Sequence, residues 1–175
     1  METVHALDHA GLALAHAART SALDSLFAAV TWLGSLAVLL PLALLLWWWR
    51  RGDRSAAFVA LALIGASALG HLAKLIVARP RPELYPPLIP MPEDWSFPSA
   101  HAVQVTAFAL AWTLHPTRSP GRIEIAVLLG IAAAVFLSRL YLQVHFPSDV
   151  VAGALLAGLW VLLLRRLPAW REHTH

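Results

Sequence analysis

Residues 55–82 read SAAFVALALIGASALGHLAKLIVARPRP. From Ser55 to Ala78 the run is apolar and long enough to cross a bilayer, which takes roughly 20 residues. Near its end stands Lys74, the only lysine in the chain, with Arg81 and Pro82 just beyond. A charged side chain at membrane depth costs about 3 kcal/mol on insertion scales, so it marks a functional site by default. This stretch therefore sets the fold class and also directs the search for chemistry.

The rest of the chain agrees with a membrane reading. It has 175 residues, 59% of them hydrophobic, and a mean hydropathy of +0.66. That composition fits an all-α polytopic membrane helix bundle, a single domain covering residues 1–175. There is no cysteine, which excludes disulfide and thiolate chemistry. The net charge of +3 and the high pI raise nucleic acid as a partner. The basic residues form no groove-binding stripe, which excludes that class. The opening Met1-Glu2, with Arg19 as the first basic residue, lacks the charged region of a signal peptide.

Five spans are expected: about 24–49, 55–78, 98–114, 123–140 and 147–164. Residues 1–22 read as an additional interfacial helix at the N-terminus. Trp47, Trp48 and Trp49 mark an interface belt. Arg50, Arg51 and Arg54 fall between spans one and two, and Arg118 and Arg122 between spans three and four. Arg165, Arg166 and Arg171 follow span five. The positive-inside rule makes that shared face cytoplasmic. The Pro-rich loop 79–97 and the segment 139–146 then lie outside the inner (plasma) membrane, on the periplasmic side. Lys74, Arg79, Arg81 and Arg139 sit there against the charge rule, which suggests an anionic ligand.

Each polar group at that end has a chemical use. Arg81 and Arg139 offer planar forks that match phosphate oxygens, and Lys74 can snorkel toward them. Pro98-Ser99-Ala100-His101 opens span three, and the N–H groups of a first helical turn attract anions. Ser99 can add a hydroxyl donor, and His101 can protonate a leaving oxygen. His145 and Asp149 are four residues apart at the start of span five. Asp149 can fix the imidazole tautomer and leave the other nitrogen to attack. No carboxylate cluster of metal-binding type accompanies them, so the cations are expected to do the work of a metal and no cofactor is expected.

Taken together, these residues resemble the phosphatidic acid phosphatase type 2 superfamily. The family's first motif is matched by Lys74 with Arg81-Pro82, and the second by Pro98-Ser99-Ala100-His101. The third is matched by Ser138-Arg139 with His145 and Asp149. The resemblance covers residues 61–164. It implies that His145 forms a phosphohistidine, that Asp149 orients it and that His101 is the acid. It also implies that Lys74, Arg81, Ser99, the Ala100 N–H and Arg139 bind the phosphoryl oxygens without metal. There are two departures. Ala100 stands where the family has glycine, and five spans are expected here against the six usual in its membrane members.

The expected function is hydrolysis of a lipid phosphomonoester or pyrophosphate, with undecaprenyl pyrophosphate the leading substrate. Phosphatidylglycerol phosphate, phosphatidic acid, lipid A phosphate and other polyprenyl phosphates are alternatives. The expected partners are the lipid phosphate substrate and membrane lipids. A vanadium haloperoxidase would share the cradle, but those enzymes are soluble. A non-catalytic phospholipid binder or transporter would not require His145, His101 and Asp149. Other polar residues have plainer readings. His71, three residues before Lys74, reads as a packing histidine, with support of the site as the alternative, and His5 and His9 read as interfacial. Glu83, Glu93 and Asp94 read as solvated loop charges, with selection of a substrate headgroup as the alternative, and Gly153 and Gly158 as close helix packing.

Overall fold

The computed structural model describes residues 2–49, 54–114 and 119–170. Arg50, Arg51, Arg118 and Arg171, on which the orientation reading partly rests, lie outside the described residues. Seven α-helices occur among the described residues: α1 (Glu2–Ala17), α2 (Ser21–Val30), α3 (Leu36–Trp49), α4 (Arg54–Val77), α5 (Ala100–Thr113), α6 (Arg122–Tyr141) and α7 (Pro147–Arg165). A 3₁₀ turn, Thr31–Gly34, joins α2 to α3.

Helix α5 is the centre of the bundle and packs most extensively on α4 and α7, then on α6. Lipid tails are as apolar as leucine, so small residues that let helices approach drive packing in a bilayer. The core follows this rule: Ala43, Ala62, Ala66, Ala107, Ala111 and Ala157 are buried in it beside Phe58, Leu63, Val105 and Val161. Gly153 on α7 shows how close the approach is. A Cβ there would stand 2.9 Å from the Ser99 carbonyl oxygen, which brings the start of α5 directly against α7.

Among the described residues, three helices are long and apolar enough to cross a membrane: residues Ala56–Val77, Arg122–Tyr141 and Pro147–Arg165. The expected first span is not one straight helix. It is α2 and α3, bent by 46° at the 3₁₀ turn, and it makes a fourth span if the pair is taken together. The expected third span is only 14 residues long as α5. At 1.5 Å per residue that is about 21 Å, short of a hydrocarbon core of about 30 Å. Being surrounded by other helices, α5 meets little lipid and can be short.

The N-terminal segment is helical as expected, but it does more than lie on a surface. α1 packs on α6 and α7 and buries Asp8 and Leu12. The carbonyl of Leu12 accepts from the Gln143 amide at 2.9 Å. Gln143 has φ of 61°, a left-handed turn that ends α6 and points the chain toward His145.

Candidate active site

The site lies where the last turn of α4, the first turns of α5 and α7, the end of α6 and the Pro-rich loop meet. The nucleophile side comes first. His145, 1% exposed, sits between α6 and α7. Its Nδ1 lies 3.6 Å from Asp149 Oδ2, which is too long for a direct hydrogen bond. Ser96 closes the gap. Its hydroxyl is 2.5 Å from Asp149 Oδ2 and 3.4 Å from His145 Nδ1. The Phe146 backbone N–H donates to the same Asp149 oxygen at 3.0 Å. The other ring nitrogen, Nε2, lies 3.2 Å from Arg81. Burial, foremost, pushes the His145 imidazole down to about 3, against the pull of Asp149 and helped by the charges of Arg139 and Arg81. The ring is therefore neutral near pH 7 and keeps a lone pair.

The second oxygen of Asp149 is also taken. Arg79 donates to Asp149 Oδ1 at 2.6 Å and to Asp8 Oδ2 at 2.7 Å. Its guanidinium lies 4.1 Å from the Phe146 ring centroid, a cation–π contact.

The cation side is arranged differently. Lys74, 3% exposed, lies 3.0 Å from Asp94 Oδ2 and donates to the Trp95 carbonyl. Arg81 reaches Asp94 Oδ1 at 2.5 Å and the Val144 carbonyl at 2.7 Å. Asp94 is thus an exposed loop charge paired with both cations. Burial pushes its carboxyl up, but the hydrogen bonds from Lys74 and Arg81 outweigh this and hold it below the usual carboxylate range.

Arg139 donates to Thr31 Oγ1 at 2.5 Å, so the break in the first span supplies a site contact. Its Nε is buried without a hydrogen-bond partner, and so is the Ser99 hydroxyl. An unmade buried hydrogen bond costs about 1–3 kcal/mol, so both groups gain by donating to an incoming acceptor. Ser99 stands at the N-cap of α5 but makes no side-chain cap. Its backbone N–H is held by the Asp149 carbonyl at 3.0 Å. His101 follows on α5, within electrostatic reach of Arg139, His145, Arg81 and Lys74.

Beside Lys74 and Ala100 opens a cavity of about 350 Å³ between α3, α4 and α5. Ser67, His71 and Gln104 line it together with Leu36 and Val103. His71 therefore faces a cavity rather than the packed core.

All eight residues singled out from the sequence, His145, His101, Asp149, Lys74, Arg81, Ser99, Ala100 and Arg139, gather at this one end. The sequence reading missed Asp8, Thr31 and Ser96, and it gave Arg79 no partner. Arg79 carried a signal, since it is a further cation next to the motif. The others are common residue types whose relevance appears only on folding.

The chain is similar to several known proteins. The model of the PAP2 superfamily matches residues 55–173. An undecaprenyl-diphosphatase of Sulfolobus acidocaldarius is 36% identical over 133 residues, covering 73% of this chain and 61% of that protein. A decaprenylphosphoryl-5-phosphoribose phosphatase of Mycobacterium tuberculosis is 40% identical over 96 residues, covering 53% of this chain. This chain spans half of that protein's length. Two crystal structures share the fold. One is a transmembrane PAP2 type phosphatidylglycerolphosphate phosphatase from Bacillus subtilis, with TM-score 0.86 and 24% identity over 100% of this chain and 90% of that one. The other is Aquifex aeolicus LpxE, with TM-score 0.79 and 27% identity over 92% of this chain and 96% of that one. With the three motifs inside the matched region and gathered at one end of the bundle, this integral membrane chain belongs to the PAP2 superfamily.

Proposed function

We propose that the protein is a lipid phosphatase that hydrolyses a lipid diphosphate or phosphomonoester through a phosphohistidine, and that a polyprenyl diphosphate such as undecaprenyl pyrophosphate is its substrate. One observation carries the reaction: buried His145 turns Nδ1 toward Ser96 and Asp149 and presents Nε2 to Arg81 at 3.2 Å. With its proton on Nδ1, the imidazole has its lone pair on the side of the cations.

In the first step the Nε2 lone pair forms the N–P bond as the P–O bond to the leaving group breaks. His101 gives its proton to the departing oxygen. In the second step water attacks phosphorus and passes a proton to His101. The N–P bond breaks, which restores His145 and frees phosphate. Arg81, Arg139, Lys74, Ser99 and the first N–H groups of α5 would hold the equatorial oxygens, where charge spreads in the transition state. The unpartnered Ser99 hydroxyl and Arg139 Nε support this assignment.

The cavity beside Lys74 supports a lipid substrate. Its volume falls in the range of ligand pockets, about 300–1,000 Å³. Its apolar wall, Leu36 and Val103, suits the first chain carbons, and its polar residues suit a leaving group rich in oxygen. The relative from Sulfolobus favours a diphosphate. The hydrogen-bonding groups of His71 and Gln104 favour a second reading, in which hydroxyls are attached to the phosphate. The site would face outward. Arg54, Arg122 and Arg165 stand at the opposite ends of α4, α6 and α7 from the site, which the positive-inside rule assigns to the cytoplasm.

The test is phosphate release by the purified chain in detergent with EDTA. The panel holds undecaprenyl pyrophosphate, phosphatidylglycerol phosphate, phosphatidic acid, a polyprenyl-linked sugar phosphate and a soluble phosphomonoester, with His145→Ala as control. Release from the polyprenyl diphosphate above all others, lost in the variant, is expected. Release from none of them sinks the phosphatase reading and favours a lipid binder.

A further inference from the structure

Asp8 lies on α1, outside the segment that matches the family, yet it is 1% exposed and bound into the nucleophile's support. Its Oδ2 accepts from Arg79 at 2.7 Å and from the Ser148 hydroxyl at 2.7 Å. Its Oδ1 accepts from the Ser148 backbone N–H at 2.9 Å. Ser148 is the second residue of α7 and Asp149 the third. Asp8 therefore caps, from another helix, the turn that carries Asp149. Arg79 ties the two carboxylates together, with one arm on Asp8 and the other on Asp149 and Ser148.

The charge count gives this arrangement a consequence. Two carboxylates share one guanidinium, so the trio carries a net negative charge beside a neutral histidine. An imidazole that attacks phosphorus gains positive charge, and that negative charge stabilises it at low dielectric. Without Asp8, Arg79 would pair with Asp149 alone. The trio would become neutral, and Asp149 would hold less charge toward His145.

We propose that Asp8 and Arg79 are positioning residues for the nucleophile, so that the N-terminal helix completes the active site. This rests on the reading of His145 as the nucleophile. Asp8 acts in the step that forms the N–P bond and does not touch substrate.

The experiment uses the full chain in detergent and farnesyl diphosphate as a water-soluble probe. Asp8→Asn keeps the side-chain shape and removes the charge. It is expected to lower kcat about tenfold or more, the usual cost of losing a buried supporting partner, with KM changed less than about twofold. In an Arg79→Met background the same change is expected to add little, because the two act as one unit. Asp8→Glu is expected to recover part of kcat, and it also serves if Asp8→Asn fails to fold.

A second readout does not depend on turnover. The ¹⁵N resonances of the His145 ring should move in Asp8→Asn when measured at pH 7. A KM effect with kcat unchanged, or additive losses in the double variant, overturns the proposal. So does an unmoved His145 resonance. If the wild type releases phosphate neither from this probe nor from the panel above, the phosphatase reading fails, and the His145 resonance still decides whether Asp8 positions that ring.

Discussion

The two halves of the site are built on opposite plans. On the nucleophile side every polar group of Asp149 is engaged: Arg79 on one oxygen, Ser96 and the Phe146 N–H on the other. On the cation side Lys74 and Arg81 both lean on one carboxylate, Asp94, whose side chain is 49% exposed. Arg139 Nε and the Ser99 hydroxyl have no partner at all. One half is complete in itself, and in the proposed function the other is completed by the substrate's phosphate. On that proposal the difference is that between a preorganised attacking group and a cradle whose contacts form with the substrate. An internal carboxylate keeps two of the cations in place meanwhile.

Four changes break or sharpen this contrast. His145→Ala removes the attacking atom and should cut kcat about 10⁴-fold or more, as loss of a nucleophile does elsewhere. Retention of even a hundredth of wild-type turnover would contradict the role given to it. Arg139→Lys keeps the charge but loses the fork, and should cost about 10²-fold in kcat on the expected substrate. If it behaves like wild type, the cradle does not depend on that fork.

The third change is pH, and it acts on the complete half. The folded-state value for His145, about 3, lies below the unfolded value of 6.5. As pH falls below 6.5 the unfolded chain takes up a proton that the folded chain refuses, so stability falls. Above 6.5 this group contributes no pH dependence. The expected loss between pH 7 and pH 5 is about 2 kcal/mol. The His145 ¹⁵N shifts should stay flat over that window. An inflection near pH 6.5 would show an ordinary, accessible histidine.

The fourth and smallest effect is on the incomplete half. Asp94→Asn removes the internal competitor for Lys74 and Arg81. The inhibition constant for orthovanadate should fall about threefold, as when a binding-competent state becomes fully populated. A weaker inhibition would mean that Asp94 builds the cradle rather than occupying it.

The site was legible in the sequence where residue type and spacing carry the chemistry. Lys74 in an apolar run, and His145 four residues before Asp149, are visible because charges and imidazoles are expensive in a membrane. The helical class was legible for the same reason, since α4, α6 and α7 are long apolar runs. The break at Thr31–Gly34 was not, because Val30-Thr31-Trp32-Leu33-Gly34 is as apolar as its flanks and carries no proline. Its cause is tertiary. A Cβ on Gly34 would meet Val135 at 2.5 Å, and Thr31 turns to Arg139. Asp8 was hidden for a related reason. An aspartate on an alanine-rich helix looks like a surface charge until Arg79 and Ser148 enclose it from more than a hundred residues away in the latter case. The partners of Asp94 were not legible because charges in proline-rich loops are ordinarily unpaired, and here the loop folds back onto two cations.

The central claim is that the phosphoryl group passes through His145. The most direct measurement mixes the purified chain with ³²P-labelled undecaprenyl pyrophosphate, the proposed substrate, stops turnover with alkali, and locates the label in peptides. Phosphohistidine survives alkali, so label on the peptide containing His145, absent in His145→Ala, is the result predicted. Turnover with label on another residue, or undiminished turnover in His145→Ala, would contradict the account.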